Sequence, residues 1–340
     1  MRLLPMLTCA LLACATLLAG GRPAPQTAAS RVSCAEIDLP VSVSVPTPGQ
    51  TMHGQLCLPA GRVPTTVQLL VPGGTYNRLY WDFPYRPERY SYQRDMAAHG
   101  YPTFAVDRLG VGRSSKPPSV LLVDSVEAAS IHQVVDHLRA GRVGGVRFDR
   151  VVVVGHSLGS AVAALEAATY HDVDGVVLTS ITHLPSVLAL TKGLSTSQLL
   201  TEGSDPGYVR NQPGQRAEMF YVRSNADPQV IATDEATKDQ VSLAGTATVT
   251  VSGFYGPASL GIDVAVLLAI GAQDSPFCGS LARDCSSAEA LRKGEALYFS
   301  PAAELSTYVL PEAGHALALH NNSGAYREAT RAWLRDHFGR

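Results

Sequence analysis

Apolar, β-branched runs recur along the chain at Val67–Val71, Thr103–Val106, Val151–Val154, Val176–Leu178 and Val264–Ile270, with a shorter one at Thr307–Leu310. Runs that are apolar almost throughout suit strands of a parallel sheet buried on both faces. Between them the apolar positions take a helical spacing, over Glu88–His99, Val123–Ala140, Ser160–Tyr170, Ala288–Tyr298 and Tyr326–Phe338. Ahead of them, residues 35–59 alternate polar and apolar around Thr47-Pro48-Gly49-Gln50, the pattern of two antiparallel strands and a turn. This succession predicts an α/β fold: a doubly wound, mostly parallel sheet with right-handed crossovers.

One interval breaks the rhythm. From Thr182 to Gly261 there is no strong strand run, and Pro185, Pro206, Pro213, Pro228 and Pro257 punctuate it. A stretch that long is rarely structureless inside a compact domain. It predicts a mainly helical cap inserted over the sheet at about 182–261, with an ordinary crossover carrying long loops as the alternative.

The N-terminus has its own pattern. Met1-Arg2 is followed by an apolar run from Leu3 to Ala19, then by a small, Pro-rich stretch from Gly20 to Ser30. This predicts a secretory signal peptide over residues 1–29, with cleavage after Ala29 and one domain over 30–340. The run is short for a membrane span. The alternative is a lipoprotein anchored at Cys14, because Leu11-Leu12-Ala13-Cys14 resembles a lipobox. No later segment reads as a membrane span, so no stable membrane insertion is expected.

Composition narrows the classes. Hydrophobic residues make up 46% of the 340 and charged residues 16%, which excludes global disorder. The net charge is −2 and there is no Lys/Arg run, which argues against nucleic acid as a partner. Six cysteines occur, and Cys9 and Cys14 leave with the signal. In an exported chain the remaining Cys34, Cys57, Cys278 and Cys285 imply disulfides, with three pairings open. Pairing nearest neighbours, Cys34 with Cys57 and Cys278 with Cys285, is the simplest. No Cys-x-x-Cys or His-x₃-His grouping points to a metal.

The candidate chemistry gathers at four loops. Gly155-His156-Ser157-Leu158-Gly159 follows four valines and opens an Ala-rich helix. That strand–turn–helix setting lifts a serine hydroxyl above the sheet on a strained turn. A serine needs a base to take its proton. His315, in Pro311-Glu312-Ala313-Gly314-His315 after the last strand, is the candidate, with His320 as rival. The imidazole needs a carboxylate to orient it. Asp274 ends the strand Val264–Ile270 with Gly271-Ala272-Gln273, and Asp284 and Glu312 are the rivals. Acyl transfer also needs backbone N–H groups aimed at an oxyanion. In Pro72-Gly73-Gly74-Thr75 the Gly74 N–H is one candidate, with Thr75 as its neighbour alternative. The Leu158 N–H, just after the serine, is the other.

On these residues the chain resembles the α/β-hydrolase superfamily, in its capped serine-hydrolase branch, over most of residues 60–340. Asp107-Arg108-Leu109-Gly110-Val111-Gly112 is similar to the family's loop after its fourth strand, where Asp107 is structural. Many relatives carry His-Gly where this chain has Pro72-Gly73. Serine rather than aspartate at the nucleophile position sets the chain apart from haloalkane dehalogenases and epoxide hydrolases. The resemblance implies a secreted carboxylic-ester hydrolase, esterase- or lipase-like, acting on a small-molecule ester through an acyl-enzyme on Ser157, with no cofactor. An acyltransferase, an amidase or peptidase using the same triad, and a non-catalytic binding module are the alternatives. The aromatic segment Tyr76, Tyr80, Trp81, Phe83, Tyr85, Tyr90 and Tyr92, with Tyr208, Phe220, Tyr221, Phe254 and Tyr255, offers walls for an apolar or aromatic substrate or filling for the core.

Overall fold

The computed structural model describes residues 32–43, 49–61, 63–186, 197–199, 205–256 and 258–339. The expected signal segment 1–29, with Cys9, the lipobox-like alternative at Cys14 and the cleavage point at Ala29, lies outside the described residues.

Eight strands form one sheet: β1 (Val32–Val41), β2 (Gln50–Pro59), β3 (Thr66–Val71), β4 (Thr103–Val106), β5 (Arg150–His156), β6 (Gly175–Thr179), β10 (Val266–Gly271) and β11 (Ser306–Leu310). Their order is β1-β2-β4-β3-β5-β6-β10-β11. From β4 to β11 every pairing is parallel, and β1 and β2 add an antiparallel edge. The strand side chains alternate between two cores. Val151 and Val153 belong to one cluster with Leu69, Val176 and Leu268; Val152 and Val154 belong to the other with Leu70, Val177 and Leu267. Both faces are covered by helices, which is why these strands read as continuous apolar runs rather than alternating ones.

The predicted helices form, with one break. Residues 88–99 divide into α1 (Pro87–Tyr90) and α2 (Tyr92–Ala98). Ser91 adopts an extended backbone there, and its hydroxyl accepts the Arg94 N–H at 3.0 Å. The serine is an N-cap, so the chain restarts its helix instead of running through. The other long helices are α3 (Asp124–Arg139), α4 (Leu158–Tyr170), α8 (Ala288–Glu295) and α9 (Ser323–Phe338).

The interval 182–261 is more than helical. Its described parts hold α5 (Gln215–Met219), α6 (Pro228–Thr237) and α7 (Leu243–Val249), continued by a wider π-helical stretch over Thr250–Tyr255. They also hold a small antiparallel sheet of β7 (Ser197–Leu199), β8 (Tyr208–Asn211) and β9 (Val241–Ser242). Strands of two to four residues are too short to leave an alternating signal, so this sheet was not expected.

Cys34 and Cys57 face each other across the β1–β2 pair and are joined, as are Cys278 and Cys285. No helix among the described residues is long and apolar enough to cross a membrane.

Candidate active site

The turn from β5 into α4 is tight enough to dictate its residues. A Cβ on Gly155 would lie 2.4 Å from the Ser160 Cα, and one on Gly159 would lie 2.4 Å from the Val71 carbonyl oxygen. Only glycine fits at either position. Between them Ser157 has φ 52° and ψ −120°, a strained backbone for a residue with a side chain. Its N–H donates to the Thr179 carbonyl at 2.8 Å, which ties the turn to the next strand. The serine lines an open cleft of about 170 Å³, and His315 lines the same cleft.

Asp274 and His315 meet across two neighbouring strands. Asp274 follows β10 and is fully buried; His315 follows β11 and is 3% exposed. The His315 Nδ1 lies 3.0 Å from each carboxylate oxygen of Asp274. With its Nδ1 proton donated there, the ring's other nitrogen is free to accept a proton.

The rivals are placed elsewhere. His320 accepts the N–H groups of Gly314 and Val222 on Nε2, both at 3.1 Å, and its Nδ1 donates to the Ala316 carbonyl. It braces the loop that carries His315, and burial pushes its pKa down to about 4. Asp284 is exposed and takes the Ser286 N–H, while Glu312 is exposed with its backbone carbonyl held by Asn225. His156 is fully buried, stacked on Tyr80 at 4.1 Å, and neither ring nitrogen has a partner among the described residues. Burial first, then the neighbouring His315 and Arg216, hold it well below the ordinary histidine range.

Gly74, Thr75 and Leu158 line the cleft beside the serine. Among the described residues no hydrogen-bond acceptor takes the Gly74 or Leu158 N–H. The loop around Gly74 is held by two buried arginines that the sequence reading did not single out. Arg108 donates to the Pro72 carbonyl at 3.0 Å, the Gly73 carbonyl at 3.2 Å and the Glu127 carboxylate at 2.7 Å. Arg216, on α5, donates to the Thr75 carbonyl, to the Thr75 hydroxyl at 3.0 Å and to Asp234 at 2.7 Å. Asp107 accepts the Arg78 and Arg113 backbone N–H groups, a structural part as expected.

The cleft walls are mostly apolar: Leu158, Val209, Met219, Phe220, Val241 and Leu243 among them, with no Asp, Glu, Lys or Arg among the described lining residues. The aromatic segment after the Gly74 loop supplies none of this lining. Tyr76, Tyr80, Trp81, Phe83, Tyr90 and Tyr92 are buried in the second core, where Tyr76, Tyr80 and Trp81 pack around His156. The aromatic walls come from Phe220, Phe254 and Phe277 instead. Tyr208 turns its hydroxyl to the Pro117 carbonyl, Tyr221 turns its own to Asp234, and Tyr255 is exposed.

Residue types alone do not make such a site. Ser259, His183 and Glu295 form a second serine–histidine–acid trio, with contacts of 2.8 Å and 2.6 Å. Ser259 is 2% exposed, donates its proton to the Tyr298 carbonyl and has no place in the cleft. Among the described residues, His132, Asp136 and Asp172 have metal-ligating spacing, and none of them lines the cleft.

Sheet order, strand–turn–helix serine and the histidine–aspartate pair at the sheet's carboxyl edge define a hydrolase of the α/β class. The chain belongs to the alpha/beta hydrolase family, whose sequence profile matches residues 68–329. The sequence matches no curated protein. Among solved structures it is similar to an esterase from Thermogutta terrifontis, at 18% identity and a TM-score of 0.62 over 88% of this chain and 99% of that one. It is also similar to a soluble variant of monoglyceride lipase from Saccharomyces cerevisiae, at 15% identity and a TM-score of 0.62 over 93% and 99%. The enol-lactonase from Burkholderia xenovorans LB400 aligns at 15% identity and a TM-score of 0.56 over 84% and 96%. Identities this low speak for the fold alone.

Proposed function

We propose that this protein is an exported serine esterase that cleaves carboxylic esters with an apolar or aromatic acyl part. The observation that carries the reading is the buried Asp274–His315 pair opening onto the same cleft as Ser157 on its strained turn. His315 takes the Ser157 proton as the hydroxyl attacks the ester carbonyl, and Asp274 holds the ring and balances its charge. The N–H groups of Gly74 and Leu158, which lack acceptors of their own, bind the oxyanion. His315 then hands the proton to the leaving alcohol, and water attacking the acyl-enzyme repeats the cycle. Residues 182–261 serve as the cap, since Val209, Met219, Phe220, Val241 and Leu243 line the same cleft as the serine. An uncharged wall favours an apolar acyl group, because a charged one would lose its water without a partner. Export by the 1–29 segment agrees with the two disulfides, which persist in an oxidising compartment.

The test is covalent labelling by a fluorophosphonate together with turnover of p-nitrophenyl esters of graded chain length. Wild-type protein labels at Ser157 and cleaves esters, and Ser157→Ala loses both. Ester cleavage that survives in pure Ser157→Ala protein removes the assignment.

A further inference from the structure

Thr75 has φ 59°, in the left-handed region that a β-branched residue rarely adopts. Strain of this kind persists only where the surroundings over-determine it. Among the described residues, the partners of the Thr75 hydroxyl and carbonyl come from the interval 182–261. Its hydroxyl donates to the Asn211 side-chain oxygen at 2.5 Å, the Arg216 guanidinium reaches both its hydroxyl and its carbonyl, and the Asp239 N–H reaches the carbonyl at 2.9 Å.

We propose that Arg216, paired with Asp234, is a positioning residue that holds Thr75 in this backbone and thereby aims the Gly74 N–H into the cleft. The proposal rests on the esterase reading above and extends it to the cap. Peptide planarity supplies the mechanics. A trans peptide points its N–H opposite the C=O of the residue before, so the Gly73 carbonyl sets the Gly74 N–H and the Thr75 carbonyl sets the Tyr76 N–H, which closes the turn by donating to the Gly73 carbonyl at 3.4 Å. Arg108 fixes the Gly73 carbonyl from the sheet side, and Arg216 fixes the Thr75 carbonyl from the cap side. The Gly73 carbonyl, and with it the Gly74 N–H, is thus held directly by Arg108 and through Thr75 and Tyr76 by Arg216.

A purely stabilising role fits Arg216 poorly. It is fully buried, its Nε has no partner among the described residues, and Asp234 is 1% exposed. Buried ion pairs add little net stability over apolar replacements. The guanidinium also lies 4.0 Å over the Tyr76 ring, which leaves it little freedom away from Thr75.

The experiment compares wild type, Arg216→Met, Arg216→Lys and Thr75→Gly in ester turnover. A second readout is inhibition by a trifluoromethyl ketone, which forms an oxyanion on the enzyme, against the corresponding alcohol, which does not. Arg216→Met lowers kcat by about 10²-fold, near the loss of one oxyanion donor, with KM held within about threefold. It weakens the ketone by a similar factor and leaves the alcohol unchanged, and Arg216→Lys recovers part of both. Arg216→Met with kcat within about twofold of wild type overturns the proposal, and so does equal weakening of ketone and alcohol, which marks a collapsed wall. If Arg216→Met does not fold, Thr75→Gly decides. A lowered kcat at unchanged melting temperature supports the proposal, and unchanged kcat overturns it. Wild type that neither labels with fluorophosphonate nor turns over overturns the esterase reading and this proposal together. Labelling and turnover in wild type with Arg216→Met unaffected overturns this proposal alone.

Discussion

At the residue scale, the two histidines of the last loop divide one job by their hydrogen bonds. His315 gives its Nδ1 proton to Asp274 and leaves its other nitrogen to the cleft, whereas His320 spends Nε2 on two backbone N–H groups and must stay neutral to do so. That requirement has a pH consequence. The pKa of His320 is about 4 in the fold against an ordinary 6.5, so between these values the unfolded chain binds the extra proton. Stability from this group is complete above pH 6.5 and is lost as pH falls from 6.5 towards 4, by about 3 kcal/mol over that window. His320→Gln keeps an acceptor but does not titrate, so urea unfolding at pH 7 and pH 4 differs less in the variant by about that amount. An unchanged pH dependence rejects the assignment. These residues were legible because each carries a local signature: glycines flanking Ser157, Gly314 before His315, a strand end before Asp274. Arg108 and Arg216 were not legible. Their acids, Glu127 and Asp234, stand 19 and 18 residues away, and only the fold brings them together.

At the element scale, the strands were readable because burial on both faces leaves no polar positions to blur the run. The spacing of apolar positions over 88–99 predicts one helix, and two form because Ser91 takes the N-cap role, which apolar spacing does not reveal. The two disulfides belong to different elements and should separate stability from activity. Cys34–Cys57 cross-links an edge pair far along the sheet order from β10 and β11, which carry Asp274 and His315. Cys278–Cys285 closes the loop that begins at Asp274, whose carbonyl accepts the Phe277 and Cys278 N–H groups at 3.0 Å and 2.7 Å. Replacing Cys34 and Cys57 by serine is expected to lower stability by about 3 kcal/mol with kcat unchanged. Replacing Cys278 and Cys285 is expected to cost about 2 kcal/mol and to lower kcat as well, because Asp274 and the cleft wall at Phe277 lose their anchor. Melting curves and kcat measured on both double variants check this, and a Cys278/Cys285 variant with full kcat contradicts it.

At the scale of the whole molecule, the sheet's loops carry the proposed reactive groups and the interval 182–261 supplies most of the described lining of the cleft. Ser157, Leu158, Gly74 and His315 line the cleft from the sheet's loops, and Val209, Met219, Phe220, Val241, Leu243, Thr246, Thr250 and Phe254 line it from the interval 182–261. Substrate choice should therefore follow changes in the insertion without changes in the chemistry. Thr250 is the informative position. It lies at the junction of α7 and the π-helical stretch, it is half-buried, and its side chain can grow into the cleft without filling the core. Thr250→Phe occupies space an acyl chain would take. Each methylene excluded from an apolar pocket changes kcat/KM by about 10- to 200-fold. The variant is expected to keep turnover of acetyl esters and fluorophosphonate labelling at Ser157, while kcat/KM for the longest accepted acyl chain falls by at least about tenfold. An equal loss on short and long esters would mean that the bulk disturbs the Ser157 turn and not the acyl wall. An unchanged chain-length profile would place the acyl group outside the cleft that the insertion encloses.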